Sequence, residues 1–515
     1  MFRERKNPTP PTLYDSLEQL LNTHKRKELH NPNAWHNLFR QHVTFAIDEK
    51  PFAVLFDENN GCPNASIRVL LAMMILKEGY GWSDEELFNQ CRFNLLLMNA
   101  LGLSNITDDV PVESTYYELR RKIYEYQVVE GVDLAKGMYE DLTKKQSDEF
   151  SVCAKWIRMD SKLIGSNIAN CSRLQLIISC IQEFYKSLDE SSKIRLNKED
   201  IQTLESLENK KASQVVYRLS NREKEKYLEK LGWLIDRIIR IFNDNDSNKY
   251  KMIKRLFEEQ YSRGAEKVEL KPGKDIPAYA IQSAYDTEAV YRNKNGNKVK
   301  GYSVNLTETC NAEGLNLITG IEVESANTPD TEFLRPGVEQ TERIAGEVKE
   351  ISVDGAYNSK DNHEYSRDNN KDLHLSGIQG AKGKYEYERI SKNKVRVTDT
   401  ENGEVRELVA YKDGKYKIKE SKGKTRYFKD EHVESSQRRK EVEDIAPYIR
   451  KRRCNVEASI FQECYHLRKD KVRYRGRYKT KLWATCRGLW INLVRIKNYV
   501  GELCSDSPQW ALIYN

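Results

Sequence analysis

The spacing of apolar positions changes along this chain, and each change marks a different kind of element. Residues 1–50 open with a Pro-rich lead and continue as a mixed helical stretch. From about 63 to 130 the pattern is helical. "NASIRVLLAMMILKEGYG" carries an apolar stripe that ends at Gly79 and Gly81. "SDEE" at 83–86 has the form of a capping box, and "TYYE" at 115–118 opens a third helix. This region reads either as a plain helical bundle or as a small DNA-binding unit of helix-turn-helix type.

A strand, "CAKWIRMD", then ends at Asp160. A helical insertion occupies about 170–265, with stripes such as "LGWLIDRIIRIF" between charge-rich connectors. Near residue 300 the period becomes two. "GYSVNLTET" sets Tyr302, Val304 and Leu306 on one face, and "LNLITGIEVESA" reads as its hairpin partner. A helix over 329–350 leads into the strand "ISVD", which ends at Asp354, and "DLHLSGI" (372–378) is a further short strand. Residues 384–430 alternate in "KVRVTD", "YKIKE" and "RYFKD", as a β-ribbon insertion does. A helix starting near Asn455 carries Glu457. In the last helix Leu482, Cys486, Leu489, Leu493, Ile496 and Val500 form a core stripe with no chemistry of its own.

Length adds domain count: 515 residues exceed one typical domain, so two or three structural units are expected. Hydrophobic residues make up 39% and charged residues 32%, enough for a core beneath a very polar surface. No apolar run approaches the roughly 20 residues that span a bilayer, and "MFRERKNPTPPT" lacks the apolar segment of a signal peptide. A cytoplasmic, nucleoid-associated protein without membrane contact is expected. None of the ten cysteines has C-x-x-C spacing, which favours buried free thiols over disulfides or zinc. His24, His30, His36 and His42 recur every six residues, on no common helix face, and read as surface residues.

The net charge of +7 is concentrated. Between Arg438 and Lys481 there are 15 Lys or Arg against 6 Asp or Glu, so the rest of the chain is slightly acidic. A charge run is often only a solvated face. Here "RKRR" and "RKDKVRYRGRYKTK" interleave with tyrosines, a composition suited to a phosphate backbone.

Strands alternating with crossover helices imply a mixed sheet with ligand chemistry at strand ends. Two adjacent central strands that each end in Asp would set Asp160 and Asp354 side by side, and Glu457 on a helix across the sheet edge could join them. Like charges so close raise one another's pKa unless a cation intervenes. Hard oxygen ligands favour Mg²⁺ (or Mn²⁺), and two such ions can serve phosphoryl transfer. Each acid also has an ordinary reading. Asp160 could cap a turn, Asp354 before Gly355 could be a turn residue, and Glu457 could simply pair with Arg453 one turn earlier.

These residues resemble the DDE transposases of bacterial insertion sequences. "NNGCPNASIRVLLAMMILKEGYGWSDEELFNQCRFNLLLMNALGL" and "PVESTYYELRRK" are similar to the helical N-terminal region of that family. "RMDSKLIGSNIA" resembles its first-aspartate motif, "KGYSVNLTET" and "ESANTPDTEFL" the hairpin that follows, and "SVDGAYNS" its second-aspartate motif. "RCNVEASIFQECYHLRKDKVRYRGRYK" resembles its final-glutamate helix. The resemblance implies an α/β fold: a ribonuclease-H-like mixed-sheet core (150–500) with an all-α N-terminal DNA-binding region (1–140), the core interrupted by the helical insertion and the β-ribbon. It also implies Asp160, Asp354 and Glu457 as catalytic acids and metal ligands, with Arg453 contacting DNA or orienting the acid. Tyr357 and Asn358 would line the site. In some relatives a tyrosine stands three residues before the arginine and a lysine seven after the glutamate. Here Arg450 and Cys464 hold those places, and Arg468 or Lys469 would supply the missing charge. With Arg473 and Arg475 these form the expected DNA-binding set. The ribbon lacks the cysteine cluster of other relatives, which argues against zinc.

The function this implies is metal-dependent cleavage and strand transfer at terminal inverted repeats, on double-stranded DNA, by a homodimer when DNA-bound. A nuclease that cuts without joining, and a non-catalytic DNA-binding descendant, are the alternatives.

Overall fold

The computed structural model describes residues 1–4, 21–57, 63–105, 108–264, 267–294, 296–378, 383–411, 414–419 and 425–505. The Pro-rich lead and Cys62 lie outside them. The chain is mixed α/β around one six-stranded sheet: β1 (Trp156–Gly165), β2 (Val290–Lys294), β3 (Asn297–Thr309), β4 (Ile318–Ser325), β5 (Glu350–Val353) and β6 (Asp372–Leu375). β3 runs antiparallel to β1 from Ile157↔Thr309 to Gly165↔Gly301, and its other edge takes both β2 and β4. β5 lies parallel to β1, and β6 parallel to β5. The helices that matter below are α1 (Ile67–Tyr80), α2 (Leu334–Ala345), α3 (Lys360–Asp368), α4 (Asp430–Asp444), α5 (Pro447–Cys464) and α6 (Arg477–Ser505).

Both faces of β3 are covered. Tyr302, Val304 and Leu306 face one core, as their alternation predicts. Ser303, Asn305, Thr307 and Thr309 are also fully buried, Thr307 beneath α2 and Asn305 against Tyr357. Small polar side chains suit that face because Gly337 of α2 sits so close to Thr307 that a Cβ there would have no room. The apolar face of β3 and β4 is shared by the N-terminal helices and α6 in a single core that includes Leu70, Met73, Tyr139, Ile321, Leu489 and Leu493. Two glycines permit the approach: Gly79 of α1 meets Trp490, and Gly488 of α6 meets Ile321. The helices between Arg173 and Gln260, closed by the hairpin Tyr261–Arg263 with Val268–Leu270, have a core of their own. So does the ribbon, around Val395, Val397, Tyr416 and Phe428.

Several boundaries differ from expectation. β1 does not stop at Asp160 but runs to Gly165, because β3 continues to pair with it after β5 has ended. The helix of Glu457 starts at Pro447 rather than near Asn455. Proline is favoured in a first helical turn, where its missing N–H costs nothing. The helix expected over 329–350 is α2, preceded by a short turn at Asp330–Phe333 and stopped by Gly346 at φ 93°. "TYYE" lies inside a helix that begins at Glu113, just after Pro111 and Val112. "SDEE" forms the expected capping box between Ser83 and Glu86. Two of the four histidines are not surface residues. His36 contacts Asn99 at 2.6 Å and His42 pairs with Glu149 at 3.0 Å, both rings buried in the N-terminal core. Among the described residues eight cysteines are free, with Cys153 and Cys454 exposed.

What docks α5 on the sheet is a buried charge. Glu308, on β3 and fully buried, accepts from Arg158 Nε (2.5 Å), Arg495 Nη2 (2.6 Å) and Ser459 Oγ of α5 (2.7 Å). Arg158 also donates to the Arg452 carbonyl at 2.9 Å. Burial alone would raise the Glu308 pKa, but Arg495 and Arg158, helped by Ser459, hold it below the usual carboxylate range. A lowered folded pKa contributes stability above the unfolded value, and this is lost as pH falls through the folded value. Glu308→Gln should therefore cost on the order of 3–5 kcal/mol at neutral pH, since it leaves two arginines uncompensated. Urea denaturation at pH 7 and below pH 4 should show that deficit shrinking on acidification.

Candidate active site

Asp160 and Asp354 are brought together by register. β1 and β5 pair in parallel as Trp156↔Glu350, Ile157↔Ile351 and Arg158↔Ser352. Two residues further along both strands stand Asp160 and Asp354, where β5 stops and β1 continues. The Asp354 carboxylate caps the short turn Gly355–Tyr357, accepting from the Ala356 amide at 2.8 Å. Gly355 is required there because a Cβ would strike the Gly377 carbonyl beyond β6. Asp160 accepts from the Ser161 amide at 2.8 Å.

Glu457 reaches the same place from α5, and the three acids meet at a single nitrogen. Arg453 Nη2 lies 3.1 Å from Asp160 Oδ2, 3.4 Å from Glu457 Oε1 and 4.0 Å from Asp354 Oδ2. The aspartates and Arg453 are largely shielded, whereas the Glu457 side chain is 63% exposed. Burial raises the Asp160 pKa. Arg453 and the Ser161 amide oppose that shift, and Asp354 adds to it. For Arg453 burial acts downward, but the charges of Asp160 and Asp354 outweigh it and raise its pKa. Its Nε is buried without a hydrogen-bond partner.

Oxygen donors from three carboxylates have the right chemistry for a hard divalent cation. The arrangement has a guanidinium at its centre, and among the described residues no group of three or more His, Cys, Asp or Glu is placed to hold a metal as it stands. Arg453 supplies the counter-charge that three converging carboxylates need.

Of the two flanking residues, Tyr357 is buried and donates to Asn305 Oδ1 at 2.5 Å. Burial and then the charges of Asp160, Asp330 and Asp354 drive its pKa far up, so it stays neutral. Asn358 Oδ1 meets His363 Nε2 at 2.9 Å. The basic residues divide by place. Arg450 caps α4 by donating to the Val442 and Glu443 carbonyls. Arg473 donates to the carbonyls of Gly81 and Trp82, and Arg475 to that of Asn167. Arg468 and Lys469 stand exposed on a turn where Lys469 and Asp470 have positive φ. That turn is fastened to the end of β1, since the Gly165 amide donates to the Asp470 carbonyl at 2.8 Å. The basic loop and Asp160 are therefore both anchored to β1.

Two supports were not foreseen from the sequence. Asp330 is buried and accepts from Ser161 Oγ at 2.8 Å, next to Asp160, with Lys294 at 3.7 Å. Glu308 with Arg158, Arg495 and Ser459 fixes α5. Glu308 did leave a signal: it is the one charge in the stretch Gly301–Thr309, whose other residues are apolar or uncharged polar, and such a charge implies a buried partner.

Replacing Arg453 with Gln should leave three carboxylates uncompensated. The variant should lose about 1–3 kcal/mol without divalent ions, and Mg²⁺ or Mn²⁺ should recover more stability in it than in the wild type. Thermal melts with and without each ion check this.

Residues 25–122 match the family model described as Transposase domain (DUF772). No match is found among the curated proteins or the solved structures. The matched segment runs from the Thr23–His30 helix into the Glu113–Glu130 helix and belongs to the core shared with α6 and the sheet. That match supports a transposase.

Proposed function

We propose that this chain is a DNA transposase of the Asp-Asp-Glu type, acting on the terminal inverted repeats of its element. The observation that carries the reading is the meeting of Asp160, Asp354 and Glu457, from β1, the end of β5 and α5, at one arginine nitrogen. The transposase-domain match over residues 25–122 supports it independently. Four strands in antiparallel pairing, β1 to β4, continued by the parallel β5 and β6, support the ribonuclease-H-like part of the reading.

In this proposal Asp160, Asp354 and Glu457 hold Mg²⁺ (or Mn²⁺). Bound there, such ions supply an activated water or 3′-hydroxyl and stabilise the leaving oxygen. The chain positions the acids: the parallel register aligns the two aspartates, Ser161 and Ala356 amides orient their carboxylates, and the Glu308 network holds α5. Arg453 balances their charge before the ions arrive and is then available to a DNA phosphate. The N-terminal helices and the basic loop at 468–475 hold the duplex. Two element ends must be joined in one event, so the DNA-bound form is a homodimer.

The test is strand transfer of pre-cut duplex ends carrying the element's own repeats, with Mg²⁺. The full chain should join them to target DNA, and Asp354→Asn should reduce joining by about a hundredfold or more. Mn²⁺ binding, followed by electron paramagnetic resonance, should weaken in Asp160→Asn irrespective of activity. Cleavage without joining would make the protein a nuclease. Duplex binding with neither Mn²⁺ binding nor chemistry would make it a non-catalytic descendant.

A further inference from the structure

Beyond the acid cluster, the parallel edge of the sheet holds a cavity of about 350 Å³ where α3, β6 and α4 meet. Three features of its lining stand apart from ordinary packing. Ser366 is 3% exposed, yet its Oγ has no hydrogen-bond partner. A buried hydroxyl left unpaired costs free energy, which a ligand that displaced the cavity wall covering it and accepted its hydrogen bond would recover. Arg367 and Arg438 line the same cavity, and neither forms an ion pair among the described residues. Lys371, by contrast, is tied to Glu342.

The acids at this cavity, Asp372 and Glu441, are exposed and pair with neither arginine. Two imidazoles and the apolar side chains of Leu373, Leu375, Val442 and Ile445 complete the lining. His374 Nε2 is engaged by Glu350 at 3.2 Å, and His363 Nε2 meets Asn358 Oδ1 at 2.9 Å. Burial, and then the charges of Arg438 and Arg367, hold His363 below its usual pKa, in keeping with a positive local field. Two arginines and a hydroxyl donor around one volume are a donor set for a phosphoryl group, which accepts several charged hydrogen bonds at once. His363, which lines the cavity, contacts Asn358 on the loop that follows Asp354.

We propose that this cavity is a phosphate subsite, in which Arg367, Arg438 and Ser366 bind a phosphodiester of the DNA strand that passes the Asp354 loop. It rests on the DNA reading above for the source of the phosphate, and on the cavity alone for its chemistry. Free inorganic phosphate shares that chemistry, so the test has two arms.

In the first arm, affinity for duplex DNA is measured by fluorescence anisotropy across a salt series. The full-length wild type is compared with Arg367→Gln/Arg438→Gln and with Ser366→Ala. Loss of both arginine contacts should lower the salt slope by about 2, roughly 1 per arginine, and weaken binding at low salt. Ser366→Ala removes a hydroxyl that has no partner in the free protein, so it should fold normally and still bind DNA more weakly. In the second arm, inorganic phosphate is titrated while the His363 ring resonance is followed, assigned with His363→Gln. Phosphate should shift it in the wild type and not in the double arginine variant.

An unchanged salt slope together with an unmoved His363 resonance overturns the proposal. A phosphate-responsive His363 with an unchanged DNA slope overturns the assignment to DNA and leaves a site for free phosphate. A wild type that binds no duplex refutes the transposase reading, and the second arm still decides whether the cavity takes phosphate.

Discussion

The buried Glu308 carboxylate is the interaction on which the remaining geometry rests. A single charge on β3 is held by an arginine from β1, an arginine from α6 and a serine from α5, so one oxygen pair joins four elements. Replacing such a cluster with apolar side chains often costs a protein nothing. Its value here is orientation. Ser459 is two residues beyond Glu457, and Arg158 is two before Asp160 on the same strand. The network therefore sets the rotation and height of α5 against β1, and with them the approach of the last acid to the first two. Arg158 also donates to the Arg452 carbonyl, which anchors the turn immediately before Arg453.

Arg453 is the complementary constraint. Three carboxylates facing one volume repel one another, and burial makes the repulsion worse at Asp160. One guanidinium close to all three makes the folded chain tolerable without any ion. The same group contests the place where a cation would sit. An arginine one turn before Glu457 is thus both the support of the cluster and, in the proposed mechanism, a competitor of the cation.

Much of this could be read from the sequence, and the parts that could not have physical reasons. Period-two alternation in "GYSVNLTET" identified β3 and its hairpin, but the buried polar face was invisible, because Thr and Ser pattern like solvent-facing residues until a glycine helix covers them. The register of Asp160 and Asp354 depends on strand pairing, and a strand end cannot be located from one sequence when a neighbour prolongs it. The start of α5 was missed because "PYIRKRR" lacks an apolar stripe, and only Pro447 marks it. His36 and His42 have six-residue spacing in the sequence, yet a short helix followed by a wider turn over Arg40–Thr44 brings both rings inward. Asp330 and the Ser366 cavity left no local signal, since both arise from elements distant in sequence.

The shared core of the N-terminal helices and α6 has a consequence for synthesis. Met73, Leu76 and Tyr139 pack against Leu489 and Leu493, and Gly79 receives Trp490. The segment that matches a transposase domain therefore lacks one wall of its core until the ribosome has delivered residues 477–505. N-terminal regions of multidomain proteins commonly fold while the rest is being made, but this one must wait for α6. A chain cut short by a premature stop would release those helices with the groove for α6 open, a fragment whose bare apolar wall marks it for degradation.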